Sequence, residues 1–318
     1  MKIAFTSCMD TLNKPDQKAW YAMHDQNPDQ IVLLGDSIYM DYEWGHNLEE
    51  RHKQPKWMTM PDFSERMHTR YQAQWNVASF KQAIANRPVH AIWDDHDFAW
   101  NNARGAGPDS GDELAYDYVQ RLSREQFRVW REELARVPKR AYPGNPAPDG
   151  EVAGDKNAVS IASTVALSPG IVIHLTDGRS FREEKHGKLL GDAQRTALDQ
   201  AFQSGEDQIH IVASGSVLES WEESHEDDFR WLRDWSQKRR ILVLSGDIHE
   251  PRFLQPPQSR LFEATASAMA QEPAIGPKKC DVFGMLHIDH DALRIELFEN
   301  TTLLSSHRID RTRWTLRP

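Results

Sequence analysis

Cysteine is scarce in this chain: Cys8 and Cys280 are the only two among 318 residues. Two cysteines cannot build a disulfide framework, so a reducing compartment is the expected setting. Long apolar runs are missing as well, and no stretch approaches the roughly 18 residues of a membrane span. The opening Met1-Lys2-Ile3-Ala4-Phe5 reads as strand, with no apolar leader segment and no twin arginine. A cytoplasmic location is the expectation from that start. Positive charge is in deficit, with a formal net charge of −10. Surplus acid argues against non-specific binding to nucleic acid or to anionic membranes. It still allows a small anionic substrate, because a bound cation reverses the local sign. A G-x-S-x-G elbow is absent too, which removes the serine-hydrolase reading. There is no internal repeat and no low-complexity tract.

What the chain does have is a burst of acid behind an apolar run. Val89-His90-Ala91-Ile92-Trp93 has the composition of a buried strand, and Asp94-Asp95-His96-Asp97-Phe98 follows it directly. Open α/β sheets bind their ligands at the C-terminal ends of such strands. Crowded carboxylates repel one another unless something positive sits among them, and a metal ion is the simplest answer. A solvated turn behind an edge strand is the plainer alternative.

The rest of the chain alternates strands and helices. Strands are expected at 2–7, 31–34, 158–167, 171–176, 208–213 and 241–245. Helices are expected at about 16–26, 61–84, 112–135, 191–204 and 224–238. Three antiparallel strands, 260–267, 281–288 and 292–298, are expected near the end. Residues 40–58 have little periodicity and are read as a long loop lining a site, with Trp44, Trp57 and Trp100 near its mouth as an aromatic edge or, equally, as lid packing. Trp231 and Trp235 are read as packing. The turn-rich segment from Pro143 to Gly150 is a surface turn, not a domain boundary. The pattern is α/β with a mixed or two-layer sheet.

Residue types that hold metals or phosphate follow five of these strands. They are Cys8, Asp36 with Tyr39, Asp94 to His96, Asp177 with Arg179, and Asp247 with His249. Parallel strands put their C-terminal ends on one edge, so five loops would meet in one crevice. Each residue also has an ordinary reading: Cys8 as a small core residue, Asp36 as a turn aspartate, Tyr39 as packing, Asp177 and Arg179 as an ion pair. As site residues, Asp36 can bridge two metals and Arg179 can grip phosphate with its planar fork. Asp247 and His249 project to the same side of an extended segment.

Taken together and in this order, five motifs resemble the alkaline phosphatase D (PhoD-like) family of metallophosphoesterases. They are Ser7-Cys8, Gly35-Asp36-x-x-Tyr39, Trp93-Asp94-Asp95-His96-Asp97, Asp177-x-Arg179-Ser180-x-Arg182 and Ser245-Gly246-Asp247-x-His249. Leu189-Leu190-Gly191-x-x-Gln194 and Glu263-Ala264-Thr265-Ala266-Ser267 look similar as well. The resemblance spans nearly the whole chain.

The resemblance implies a single domain over 1–318 with a four-layer αββα sandwich of two mixed sheets. It implies ferric iron with calcium, other divalent metals being alternatives. Cys8, Asp36 and Tyr39 match the iron-holding positions, with Asp36 also reaching calcium. Asp94, Asp95, Asn101, Asn102, Asp247 and His249 match the remaining ligand motifs, the choices between Asp94 and Asp95 and between the asparagines staying open. His96 matches the histidine that assists the leaving group. Arg179 matches a phosphate contact, with Asp177 and Arg182 beside it. The implied activity is hydrolysis of phosphate mono- or diesters by a metal-bound hydroxide. Alternatives are a hydrolase of a phosphonate, sulfate ester or cyclic nucleotide, and a catalytically silent metal-binding protein. The leader and N-terminal β-rich domain of exported relatives are not found in the chain. The aspartate of Leu175-Thr176-Asp177-Gly178-Arg179 stands one position from the family's usual place.

Overall fold

The computed structural model describes residues 1–42, 58–108, 113–152, 160–271 and 280–317. Two sheets form the centre. The first has seven strands in the order β13-β12-β11-β10-β1-β2-β3. Its members are β1 (Lys2–Thr6), β2 (Gln30–Leu34), β3 (Val89–Ile92), β10 (Val282–Ile288), β11 (Ala292–Glu299), β12 (Thr302–Asp310) and β13 (Leu316–Arg317). The second has six strands in the order β4-β5-β6-β7-β9-β8. Its members are β4 (Ser163–Ser168), β5 (Ile171–Leu175), β6 (Ile209–Ser214), β7 (Arg240–Ser245), β8 (Pro251–Leu254) and β9 (Phe262–Ala266). Both are mixed: β1, β2 and β3 run parallel, as do β5, β6, β7 and β9, with antiparallel strands outside them.

The four-layer arrangement follows from side-chain alternation. Successive residues of a strand point to opposite faces. Ile3, Phe5, Val32 and Leu34 meet Ile173, Ile211, Leu242 and Leu244 in the core between the sheets. The alternate residues Ala4, Ile31 and Leu33 pack on helices outside the first sheet, and Val212, Ile241 and Val243 on helices outside the second. Strands buried on both faces read as continuous apolar runs, which is how these appear in the sequence. Each fully buried Ile, Leu or Phe contributes about 1.5–3 kcal/mol.

On the first sheet lie α1 (Ala19–Asp25), α2 (Met60–Asn76), α3 (Ala78–Ile84), the short α4 (Asp95–Phe98) and α5 (Asp117–Ala135). On the second lie α6 (Asp192–Ser204), α7 (Leu218–Ser224) and α8 (Glu226–Ser236). No helix among the described residues is long and apolar enough to cross a membrane.

Three expectations need correction. The helix expected over 61–84 is two helices, because Val77 turns extended (ψ 121°) and buries its side chain. Similarly, the helix expected from 224 breaks at His225, whose φ of −144° and ψ of 52° are not helical. The strand expected at 260–267 does not join the C-terminal antiparallel group. It is β9, parallel to β7 in the other sheet and buried along its whole length. β8, β12 and β13 were not expected; β12 is largely exposed and polar, so it has no apolar signal to read.

Candidate metal and phosphoester site

The C-terminal ends of β1, β2 and β3 from one sheet, and of β5 and β7 from the other, carry the five motifs. The two sheets bring those ends together, so the loops meet in one crevice. The backbone there is unusual. Cys8 (φ 61°), Asp36 (φ 51°), Asn102 (φ 60°), Asp247 (φ 72°) and His249 (φ 54°) all sit in the left-handed region. That conformation costs on the order of 1–3 kcal/mol per non-glycine residue and gathers at functional sites. Glycines let the loops close on one another. A Cβ on Gly35 would stand 2.5 Å from Asp94 Cβ, and one on Gly215 would stand 2.5 Å from Asp94 Oδ1.

Cys8 is fully buried beneath this crevice. Its Sγ lies 3.4 Å from Asp36 Oδ2, 3.3 Å from Ser7 Oγ and 3.2 Å from Ser267 Oγ. Ser267 Oγ also accepts the His249 backbone N–H at 3.0 Å. Tyr39 Oη is 3.3 Å from His249 Nε2. Potential ligand atoms of Cys8, Asp36 and His249 lie within 4.8 Å of one another, and so do those of Asp36, Asp95 and His96. Asp36 stands in both groups.

The donor set fits metal ions. Burial pushes the Cys8 thiol up against the opposing hydrogen bonds of Ser267, Ser7 and Tyr39, and pushes the Asp36 carboxyl and the Tyr39 phenol well above their ordinary values, with Cys8 raising both further. A cation among them reverses that preference. Among the described residues, Asp36 Oδ1 and Asp94 Oδ2 are buried with no hydrogen-bond partner. Buried carboxylate oxygens are costly in that state unless a cation completes them. Asp247 is pushed up to about 6, first by burial and then by Asp94 and Asp95.

Asp94 and Asp95 divide their roles. Asp94 Oδ1 accepts the Arg179 Nε–H at 2.6 Å, while Asp95 Oδ1 is 3.6 Å from the same guanidinium. Asp95 is the one grouped with Asp36. The side chains of Asn101 and Asn102 are exposed. Their backbone N–H groups donate to Asp41 Oδ2 at 3.0 Å and to Asp95 Oδ2 at 2.6 Å. Asp97 is structural. Its carboxylate accepts the Ser37 N–H, the Asp94 N–H and the Tyr71 hydroxyl, tying the β2 and β3 loops together.

His96 has a partner that the motifs do not contain. Its Nδ1 is 2.5 Å from Oδ1 of the fully buried Asp41. Burial works to lower the His96 pKa, but Asp41, Asp95 and Asp36 outweigh it and hold the ring well above its ordinary value. The imidazole also packs on Tyr39, with ring centroids 4.3 Å apart. Sequence reading passed over Asp41 because it sits in the aperiodic 40–58 loop, two residues past Tyr39. Residues 43–57 of that loop, with Trp44 and Trp57, lie outside the described residues. Trp100 is 3% exposed and packs in the helix-side core. Trp231 and Trp235 are half-buried, and both indole N–H groups donate to Asp199 Oδ1.

The loop after β5 also differs from expectation. Asp177 was expected beside the phosphate. Its oxygens instead accept from Trp93 Nε1, the Ile161 N–H, the Arg179 N–H and the Ser180 N–H, at 2.9–3.2 Å. Gln194 clamps its backbone from both sides, at 2.8 and 3.0 Å. Asp177 therefore shapes the loop and has no free oxygen to offer. Arg179, expected as the phosphate clamp, is held by Asp94. Among the described residues, the Arg182 guanidinium donates only to a neutral hydroxyl, Ser216 Oγ at 3.1 Å. Burial and the neighbouring Arg179 lower its pKa to about 10. Asp94, Asp95 and Asp247 attract the guanidinium without an ion pair and do not outweigh those two effects, which leaves a receptive anion contact.

The family profile described as PhoD-like phosphatase matches residues 3–284. The solved structure of PhoD is similar to this chain with a TM-score of 0.70 at 15% identity, covering 100% of this chain and 71% of that one. YfcE, a phosphoesterase from E. coli, aligns at 13% identity with a TM-score of 0.33, over 96% of this chain and 98% of its own. No curated protein matches the chain.

Proposed function

The chain belongs to the PhoD-like phosphatase family and is a hydrolase of phosphate esters; we propose that it works with ferric iron and calcium sharing Asp36. Cys8, Tyr39 and His249 would join Asp36 around iron, since thiolate and phenolate suit a strongly Lewis-acidic ion. Asp95 and Asp247, with Asp94 and either asparagine as further oxygen donors, would join Asp36 around calcium. When bound, the ions supply Lewis acidity toward the phosphoryl oxygens and ease the deprotonation of water. The observation that carries this reading is the membership of Asp36 in both ligand groups.

The chain's own residues then take distinct tasks. Arg182 receives a phosphate oxygen. Arg179 neutralises Asp94 and Asp95 and fixes their direction. His96, kept protonated by Asp41, donates a proton to the departing alkoxide. Asp41 fixes the ring through Nδ1 and leaves Nε2 for the transfer. Elemental analysis of the purified protein, with turnover of one aryl monoester and one aryl diester, tests the proposal. Iron and calcium near one each per chain, with hydrolysis, would support it. Full activity in protein free of both would refute the metal assignment.

A further inference from the structure

Away from the phosphoester crevice, the edges of the two sheets leave a cavity of about 690 Å³. β3 is the edge strand of one sheet and β4 of the other, and α5 spans the gap. The cavity lies in the size range of small-molecule sites. Val89, Ala91, Ile161, Val165 and Leu175 give it apolar walls. Arg124, Arg128 and Arg131 reach it from α5.

These arginines are not equivalent. Arg128 is paired with Glu125 and Glu132. Arg131 donates to the Ile161 carbonyl and to Ser163 Oγ. Arg124 Nε is buried and has no hydrogen-bond partner among the described residues; Asp177 and Asp117 attract the guanidinium only from beyond ion-pair distance, too weakly to offset its burial. A partly buried guanidinium with no carboxylate in contact is costly, and an anion beside it removes that cost. The surplus positive charge is local, because the chain as a whole carries −10. Apolar walls with two arginines in contact with no carboxylate among the described residues, of which Arg124 keeps an unbonded Nε–H, select a ligand that has an apolar body and one anionic end.

We propose that this cavity binds a small amphipathic carboxylate, its apolar body against Val89, Ala91, Ile161 and Leu175 and its carboxylate on Arg124. None of the metal or phosphate residues lines the cavity. It does back onto their support, since the Ile161 N–H donates to Asp177 Oδ2 at 3.0 Å. The site stands apart from the metal assignment and does not depend on it.

Equilibrium dialysis of the full chain against laurate, dodecanol and inorganic phosphate tests the proposal. The wild type should bind one laurate per chain, about tenfold or more tighter than dodecanol, the scale of one charge-assisted hydrogen bond. Arg124→Leu should bring laurate down to the level of dodecanol. Ala162→Trp, which fills the half-buried wall, should lose both. Phosphate alone should not compete at concentrations that displace no metal. No laurate binding by the wild type, equal binding by wild type and Ala162→Trp, or undiminished preference for laurate in Arg124→Leu would overturn the proposal.

Discussion

His96 Nδ1 and Asp41 Oδ1 lie 2.5 Å apart across 55 residues of sequence. The carboxylate is fully buried, the imidazole nearly so, and the pair sits beside the crevice where Asp36 and Asp95 meet. A buried carboxylate facing an imidazole favours the imidazolium form and fixes which nitrogen is free.

The first prediction concerns leaving groups. A nitrophenolate departs with little help, whereas an alkoxide needs a proton. His96→Ala should lower rates within the usual span of general acid catalysis, about 10²–10⁴-fold, with the larger losses on alkyl phosphates. Asp41→Asn should show the same dependence more weakly. The loss should appear mainly in kcat. Plots of log kcat/KM against leaving-group pKa that run parallel for wild type and His96→Ala would make His96 structural.

The second prediction separates the two arginines. Arg179→Ala leaves Asp94 and Asp95 buried without their cation, so about 3–5 kcal/mol of stability should be lost in metal-free protein. Arg182→Ala removes, among the described residues, one hydrogen bond to a neutral hydroxyl and no ion pair. It should leave the melting temperature nearly unchanged and lower kcat/KM for phosphate esters. Thermal melts and initial rates of both variants check this. An unstable Arg182→Ala beside a stable, slow Arg179→Ala would exchange the roles.

Much of this was legible in the sequence, for physical reasons that differ from residue to residue. β2 and β7 are apolar runs that stop at Gly-Asp, so strand, turn and acidic residue were readable together. Cys8 and His249 were readable only as members of an ordered motif set, because each alone is common. Asp41 carried no signal: a carboxylate in an aperiodic loop acquires its meaning from the imidazole folded against it. Asp177 misled for the opposite reason. Its place beside Arg179 suggested phosphate, but the donors that occupy it come from Trp93, Ile161 and its own loop. β9 misled because a strand buried on both faces does not reveal which sheet it joins.

The third prediction concerns acid stability away from the site. His174 Nε2 and His210 Nδ1 lie 3.0 Å apart in the core, with Thr164 Oγ1 on His174 Nδ1 and the Gly205 carbonyl on His210 Nε2. The carbonyl can only accept, which puts a proton on His210 Nε2; burial lowers the pKa of both rings, and as neutral rings they pass the bonds one way, from Thr164 to Gly205. Burial, aided by His210, lowers the His174 pKa to about 3. The unfolded chain takes up that proton at the ordinary histidine value, so it binds more protons than the fold between these two pH values. Stability is therefore complete above about pH 6.5 and falls toward pH 3, by about 1.4 kcal/mol per pH unit from this group. Melting curves from pH 7 to pH 4 should be flatter for a His174→Leu/His210→Leu double variant. An unchanged slope would mean the pair titrates normally.

The account rests most heavily on Asp36 as the residue shared by two metal ions. The direct measurement is metal content by elemental analysis, paired with kcat on an aryl phosphate, for wild type and Asp36→Asn. An amide there removes the charge and one good donor oxygen while keeping the shape. The predicted result is a folded variant that has lost both ions and at least about two orders of magnitude in rate. A variant that keeps wild-type metal content and near-normal turnover would contradict the account and leave Asp36 a turn residue.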